Sequence, residues 1–192
     1  MKLTTFNTLF SDRFLSLFEI KYIDREGQPN TWQLVSREKK GPKCFTGRLE
    51  TADAVVIVPY HRERKQLAVI REFRIALGGF QYGFPAGLVE PGESVETAVR
   101  RELMEETGLT VVRHHRTSPV VFSSSGITDE SVIIAHVDCV GDPSDAGNSA
   151  SEQIETLFVG KTEAERLCRD DTLLMDVKTW LVLSGFAAGG LW

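Results

Sequence analysis

The stretch that decides the fold is Gly87-Leu-Val-Glu-Pro-Gly-Glu-Ser-Val-Glu-Thr-Ala-Val-Arg-Arg-Glu-Leu-Met-Glu-Glu-Thr-Gly-Leu109. Its first part holds two glycines and a proline, a composition that predicts a loop. Ser94 can cap a helix, and no helix breaker follows until Gly108, which suits a left-handed C-terminal cap. The stretch therefore predicts a loop followed by a helix.

The predicted helix carries two side-chain patterns. Apolar residues recur every four positions and predict a buried stripe: Val95, Val99 and Leu103. Three carboxylates lie at i, i+3 and i+4 and share one face beside that stripe: Glu102, Glu105 and Glu106. Crowded, partly shielded carboxylates repel one another, and a hard divalent cation such as Mg²⁺ or Mn²⁺ would relieve this repulsion. Taken alone, the three glutamates also fit a solvated acidic face.

The full pattern is more specific than the glutamates. The sequence matches every fixed position of G-x5-E-x7-R-E-L-x-E-E-x-G-L: Gly87, Glu93, Arg101, Glu102, Leu103, Glu105, Glu106, Gly108 and Leu109. This pattern resembles the signature box of the Nudix hydrolases. The resemblance implies a loop–helix–loop that binds divalent metal and cleaves a nucleoside diphosphate linked to another group. It also implies an α/β fold in which a mixed sheet lies between helices, as an α/β/α sandwich.

The composition limits which binding partners and which cellular compartment are expected for this protein. The 192 residues carry a net charge of −5, with a pI near 5.5, which does not favour a nucleic-acid or anionic-membrane partner. No run approaches the roughly 18 apolar residues of a membrane span, and Asp12 and Arg13 precede any long apolar run, which argues against a signal peptide. The three cysteines have no metal-ligand spacing. A cytoplasmic location is therefore expected.

Alternating and continuous apolar runs predict strands at 14–23, 31–36, 54–58, 67–73, 132–140 and 154–159, and 111–112 and 120–122 are short strand candidates. A capping-box pattern predicts a helix starting at Thr162. A last helix is predicted over 172–183, with Leu173, Leu174, Val177 and Leu181 on its apolar side. We interpret residues 1–50 as an N-terminal β extension that contains a hairpin, and residues 51–192 as the catalytic domain.

Outside the box, the sequence is similar to the ADP-ribose pyrophosphatase branch of the family. The similarity is carried by Glu72-Phe73-Arg74, by Gly78-Gly79 and by Phe84-Pro85-Ala86-Gly87-Leu88. It implies that Arg74 contacts the substrate pyrophosphate and that the Ala86 carbonyl joins the metal shell. Arg71 ends the same strand and is a second candidate for substrate binding.

The N-terminal hairpin resembles the extension of ADP-sugar pyrophosphatases. The resemblance implies a homodimer built by this extension, and it implies that Trp32 stacks on the adenine. One departure is Ser124-Ser125-Gly126, where that branch often carries Ser-Pro-Gly. The departure leaves GDP-mannose or UDP-glucose open beside ADP-ribose as the nucleotide sugar. A non-catalytic nucleotide-binding regulator is a further alternative, although no box glutamate is lost.

Two carboxylates compete for the role of general base. The resemblance places the base in the loop before residue 154, which implies Glu152, whereas Glu130 follows the serine-rich loop. Arg101 and Glu105 complete the set of expected catalytic residues. We expect Arg101 to pair with Glu93 and to hold the loop on the helix.

Overall fold

The structure is a computed structural model that describes residues 1–190. Its strands are β1 (Lys2–Ser11), β2 (Ser16–Ile23), β3 (Pro29–Ser36), β4 (Ala54–His61), β5 (Gln66–Arg74), β6 (Gly79–Gly83), β7 (Ala86–Leu88), β8 (Thr110–Thr117), β9 (Val121–Phe122), β10 (Ser131–Val140), β11 (Ile154–Val159) and β12 (Leu174–Met175). Its helices are α1 (Lys43–Thr46), α2 (Val95–Thr107), α3 (Lys161–Arg169) and α4 (Val177–Ala187). No helix of the described part is long and apolar enough to cross a membrane.

The first of two compact units comprises Met1–Ala54 and Pro119–Ile133. Its sheet has the order β1-β2-β3, with both pairs antiparallel. Its small core contains Phe18, Ile20 and Leu34, packed against the rings of Phe6 and Phe45. The predicted hairpin is therefore present, and a loop from the middle of the sequence belongs to the same unit.

A buried lysine ties the segments of this unit together. Lys43 is 1% exposed, and its ammonium donates to the Thr51 carbonyl, the Asp53 carboxylate and the Ser131 hydroxyl at 2.7–2.9 Å. Because a lysine ammonium has three donors, the buried charge is fully hydrogen-bonded.

The second unit comprises Val55–Ser118 and the chain from Ile134 onward. The larger sheet has the order β12-β6-β5-β4-β10-β8, while β11 adds to β5 and β7 to β4. The β12–β6 pair is parallel and the β5–β6, β5–β11 and β8–β10 pairs are antiparallel, so the sheet is mixed. The predicted α/β class is confirmed.

Helix α2 packs its apolar stripe onto this sheet. Val99 and Leu103 are fully buried, and Val95 packs against the same core. The Ser94 hydroxyl accepts a hydrogen bond from the Thr97 amide, and Gly108 ends the helix in the left-handed conformation at φ 72°. The predicted caps and stripe of α2 are confirmed, and they fix which helix face is left for the carboxylates.

The prediction for the C-terminal helix was wrong in its start and its buried face. The Asp176 carboxylate accepts from the amides of Lys178 and Thr179, so the helix begins at Val177, and Leu174 lies in β12. Val177 and Leu181 are each 60% exposed. The residues buried on α4 are Thr179, Leu183 and Phe186. The cap is a local signal, but the apolar residues on both sides of the helix concealed which side is buried.

Other elements also differ from the prediction. α3 begins at Lys161 after Gly160, with no side-chain cap in place of the expected Thr162 box. β1, β6, β7 and β12 were not predicted. β1 lacks apolar alternation because nine of its ten residues are exposed and one is intermediate, and a two-residue strand such as β12 is too short to carry a period.

Gly108 allows a close approach that a side chain would prevent. A Cβ added there would lie 2.7 Å from the Ser144 Cβ and 2.8 Å from the Ser144 nitrogen. We expect Gly108→Ala to lower the free energy of unfolding by roughly 2–5 kcal/mol, which combines left-handed strain with overpacking. Denaturant unfolding monitored by circular dichroism measures the change.

The matched control is Gly92→Ala. Gly92 has a similar φ of 83°, but nothing lies within 4 Å of an added Cβ. Only the backbone strain of roughly 1–2 kcal/mol is expected there. Equal losses in the two variants would contradict the role of the contact with Ser144.

Candidate active site

Two carboxylates of α2 lie against the backbone of the loop that precedes the helix. The Glu106 carboxylate accepts a hydrogen bond from the Ala86 amide at 3.0 Å. A Cβ added at Gly87 would collide with the Glu102 carboxylate. A glycine is therefore needed at position 87, because its backbone approaches the carboxylate too closely for any side chain.

The third carboxylate of the predicted face is more open. The Glu105 side chain is 51% exposed, whereas that of Glu102 is 12% exposed. Glu102 and Glu106 are one helical turn apart and both face β7, while Glu105 turns towards solvent. The expected shielding therefore holds for Glu102 and Glu106 and fails for Glu105.

Arg101 connects the loop to the helix through all five of its N–H donors. It donates to both carboxylate oxygens of Glu93 at 3.0 and 2.9 Å and to the Leu88 carbonyl at 3.0 Å. One terminal nitrogen also donates to Glu102 at 2.6 Å and to Glu105 at 3.2 Å. The expected pairing of Arg101 with Glu93 is present, and this arginine also neutralises part of the acidic face.

These contacts set the charge states of the box. Hydrogen bonds from Arg101 lower the pKa of Glu93 to about 2, and those to Glu93 chiefly raise the pKa of Arg101. Burial raises the pKa of Glu102, although Arg101 opposes the shift. Burial raises the pKa of Glu106 to about 8; the Ala86 amide opposes this shift, and the charges of Glu102, Glu72 and Glu152 add to it.

The residues fit a divalent cation by their chemistry. Within residues 1–190, no group of three or more acidic, histidine or cysteine side chains is arranged to hold a metal ion. Nevertheless, Glu106 is a shielded carboxylate whose ionisation is opposed by its neighbours. Oxygen donors under mutual repulsion are the donor set that Mg²⁺ and Mn²⁺ accept.

Strand β5 adds a carboxylate that the sequence analysis missed. Glu72 is 15% exposed in its side chain and pairs with Arg74 at 3.1 Å. Burial raises the pKa of Glu72, and the charge of Glu152 adds to the shift. An acidic residue following the apolar run Leu67–Ile70 was the available signal, because a glutamate that continues a buried strand is unusual.

The two candidate arginines differ in their surroundings. Arg74 is half exposed and held by Glu72. The Arg71 guanidinium lies 3.9 Å from the centre of the Phe80 ring and 3.4 Å from Glu155, which fits a stacked surface ion pair. Of the two arginines, Arg74 is therefore the one that lies beside the shielded carboxylate of Glu72.

Glu152 lies in the loop between β10 and β11. Its carboxylate accepts a hydrogen bond from the Ser149 amide at 2.8 Å, and it is exposed. Its charge acts on both Glu72 and Glu106. The loop thus brings Glu152 near the carboxylates of Glu72 and Glu106, which belong to the same unit.

Trp32 and Glu130, the remaining predicted site residues, belong to the first unit. Trp32 is 50% exposed and lines a cavity of about 270 Å³. The Glu130 carboxylate accepts a hydrogen bond from Arg37 at 2.6 Å.

Comparisons with known proteins agree with this arrangement. The family model of the NUDIX domain matches residues 50–172. The putative nudix hydrolase 2 of Caenorhabditis elegans is 29% identical over 158 residues, which cover 79% of this chain and 68% of that protein. The ADP-sugar pyrophosphatase of Mus musculus is 32% identical over 150 residues, which cover 76% of this chain and 64% of that protein. The chain thus spans about two thirds of the length of these two relatives.

Two further comparisons extend the picture. The GDP-mannose pyrophosphatase of Cronobacter sakazakii is 28% identical over 149 residues, covering 74% of this chain and 77% of that protein. A crystal structure of an ADP compounds hydrolase superposes with a TM-score of 0.73 at 20% identity, covering 98% of this chain and 96% of that chain. The structural likeness establishes the fold, and the family model includes the loop and helix that carry the carboxylates. The chain belongs to the Nudix hydrolase family.

Proposed function

We propose that this chain hydrolyses the pyrophosphate bond of a nucleoside diphosphate sugar, with ADP-ribose as the preferred substrate, giving AMP and ribose 5-phosphate. The observation that carries the proposal is the pair of shielded carboxylates, Glu102 and Glu106, against the backbone of Ala86 and Gly87. The names of the mouse and Cronobacter relatives support a sugar nucleotide. GDP-mannose and UDP-glucose remain alternatives.

We assign the metal ligands to Glu102, Glu105, Glu106 and the Ala86 carbonyl, with Mg²⁺ as the ion and Mn²⁺ as the alternative. When bound, such an ion neutralises phosphate charge and lowers the pKa of a coordinated water. Arg101 engages one oxygen of Glu102 and one of Glu105, so each carboxylate keeps a second oxygen for a metal. The bidentate contact of Arg101 with Glu93 is independent of these two residues and can keep the loop on the helix.

We assign substrate-binding roles to three of the predicted side chains, each within its own unit. Arg74 contacts the pyrophosphate, since its guanidinium can exchange the Glu72 carboxylate for phosphate oxygens. Arg71 is a secondary contact beside the Phe80 ring, and Trp32 stacks on the base. A regulator without catalysis is less well supported because every box carboxylate is present.

We also propose a homodimer and a cytoplasmic location. β1 is an edge strand with an unpaired outer side, a feature that favours pairing with another chain. Large apolar side chains are exposed on β1 and in the segment that follows it: Leu3, Leu9, Phe10, Phe14 and Leu15. The dimer interface therefore extends from the expected residues 14–36 to β1. Three free cysteines support a reducing compartment.

The first prediction concerns stability without metal. In chelator, the free energy of unfolding should fall as the pH rises from about 4.3, the pKa of an unfolded glutamate, through about 8, the pKa of folded Glu106. The sign follows because a raised folded pKa means that the folded chain holds the proton more tightly. Glu106→Gln should reduce this fall without abolishing it, since the raised pKa values of Glu72 and Glu102 also contribute, and Mg²⁺ should reduce it in the wild type. Thermal denaturation across the pH range measures both effects.

Glu96→Gln is the matched control on the same helix. The Glu96 side chain is 62% exposed and paired with Arg100, so the dependence on pH should stay that of the wild type. An unchanged dependence in Glu106→Gln would contradict the shielding of this carboxylate.

The second prediction tests the substrate. ADP-ribose should rank first or second in kcat/KM among ADP-ribose, GDP-mannose, UDP-glucose and ATP, assayed with Mg²⁺ by chromatography of the nucleotide products. The reason is that Arg74 and the Ala86–Gly87 backbone match the sugar-nucleotide branch. A tenfold advantage for ATP over every sugar nucleotide, about 1.4 kcal/mol, would overturn the assignment.

The third prediction separates the candidate bases. We expect Glu152→Gln to lower kcat by roughly 10²- to 10⁴-fold, the usual contribution of a general base, while KM and metal affinity stay near those of the wild type. Glu130→Gln should cost less, since Arg37 already engages Glu130. Steady-state kinetics with both variants decides between them.

Glu155→Gln serves as the control, because Glu155 is also exposed near the same loop and pairs only with Arg71 among the ion pairs described. If Glu130→Gln loses more kcat than Glu152→Gln, the base is Glu130.

A further inference from the structure

The cavity of the first unit has the shape and lining of a site for one planar ring. Its volume is about 270 Å³, just below the roughly 300–1,000 Å³ of pockets that hold drug-sized ligands. Trp32 lies opposite Ile20 in the β2–β3 register and shares its sheet face with Leu34, two residues on. The lining side chains include Ile20, Trp32, Leu34, Cys44, Phe122 and Asp129. The walls are thus aromatic and aliphatic, with one carboxylate among them.

That carboxylate has an unused acceptor. Asp129 Oδ2 accepts a hydrogen bond from the Lys43 amide at 2.8 Å. Asp129 Oδ1 is buried and has no hydrogen-bond partner among residues 1–190. A buried acceptor without a donor is costly and calls for an explanation.

The neighbouring cations are engaged with other groups. The Lys43 ammonium donates its three hydrogen bonds to Thr51, Asp53 and Ser131. Arg37 is paired with Glu130 at 2.6 Å. These two cations are therefore engaged with other groups, and Asp129, a residue of the cavity lining, keeps one carboxylate oxygen without a donor.

The loop that carries Asp129 is fixed to the sheet. The Val35 amide donates to the Ile127 carbonyl at 2.8 Å, and Val35 forms a parallel bridge with Thr128. Asp129 is also tied to Lys43 through its other oxygen. The carboxylate is thus held in place beside the strand that bears Trp32, as a selective site requires.

We propose that Asp129 selects the nucleobase, by accepting an N–H from the exocyclic amino group of a ring that occupies the cavity against Trp32. The inference rests on the proposed function, which supplies the nucleotide, and it deepens that function by naming the class of base. Adenine and cytosine carry an amino group at the position where hypoxanthine and uracil, respectively, carry a carbonyl oxygen, and guanine, like hypoxanthine, carries a carbonyl oxygen there. Two acceptors cannot bond each other, so bases with only a carbonyl at that position are rejected.

The test is a comparison of AMP with IMP, in which a carbonyl oxygen replaces the amino group and the neighbouring ring nitrogen carries a hydrogen. Dissociation constants are measured by calorimetry in chelator. With the wild type, AMP should bind at least about tenfold more tightly than IMP, since a site built for a donor rejects a ligand that lacks it. Purine riboside 5′-monophosphate, which has neither group, should bind more weakly than AMP.

Asp129→Asn should reverse the order of AMP and IMP. The asparagine oxygen can still accept from the Lys43 amide, and its Nδ2 then presents a donor to the cavity. Trp32→Leu should weaken the binding of both ligands, and AMP should remain the more tightly bound of the two. Asp12→Asn, which removes a charge from an exposed turn of the same unit, is the control and should bind as the wild type does.

Two results would overturn the inference: equal affinities for AMP, IMP and the unsubstituted purine nucleotide in the wild type, or the same preference in Asp129→Asn as in the wild type. The ligand series on the wild type needs no variant, so it decides the question even if Asp129→Asn does not fold. Mononucleotides have no pyrophosphate bond, so base selection can fail while hydrolysis of ADP-ribose succeeds. The reverse outcome, selective binding of AMP without any hydrolysis, would reject the proposed function alone.

Discussion

The guanidinium of Arg101 holds the active-site loop on its helix. Its five donors reach the Glu93 carboxylate, the Leu88 carbonyl, Glu102 and Glu105. A lysine could not replace it, because a point-like ammonium with three donors cannot make a bidentate contact and span the other groups. This side chain fastens the segment that follows Ala86 and Gly87, while the Ala86 amide bond to Glu106 and the pairing of β7 with β4 hold these two residues themselves.

The same arrangement leaves the helix with more negative charge than it can neutralise. Arg101 reaches Glu102 and Glu105, while Glu106 accepts a hydrogen bond from the uncharged Ala86 amide. The shielding that raises the pKa of Glu106 is also what makes a cation there effective, since charges interact more strongly away from water. The proposed metal site would therefore couple folding to metal binding, because the charge of Glu106 opposes the first and would favour the second.

A similar principle operates in the first unit at a smaller scale. Lys43 is buried with every donor engaged, whereas Asp129, bound to the Lys43 amide, keeps one oxygen without a donor. Both groups are shielded from water, yet one is structurally complete and the other is not. A buried polar group without a hydrogen-bond partner lowers the stability of the fold. Such a group calls for an explanation, and a functional role is one such explanation.

Much of this protein is determined by its sequence at short range. The loop and α2 follow from Ser94, Gly108 and the stripe through Val99, because caps and helical faces are decided within a few residues. The pairing of Glu93 with Arg101 also lies within this stretch. Only the tertiary structure decided which face of α4 is buried, that Glu72 and Glu152 act on Glu106, and that Asp129 Oδ1 is buried beside Trp32. The physical reason is that burial and charge coupling depend on residues far apart in the chain: Lys43 and Asp129 are bonded across a separation of 86 positions, which no local pattern encodes.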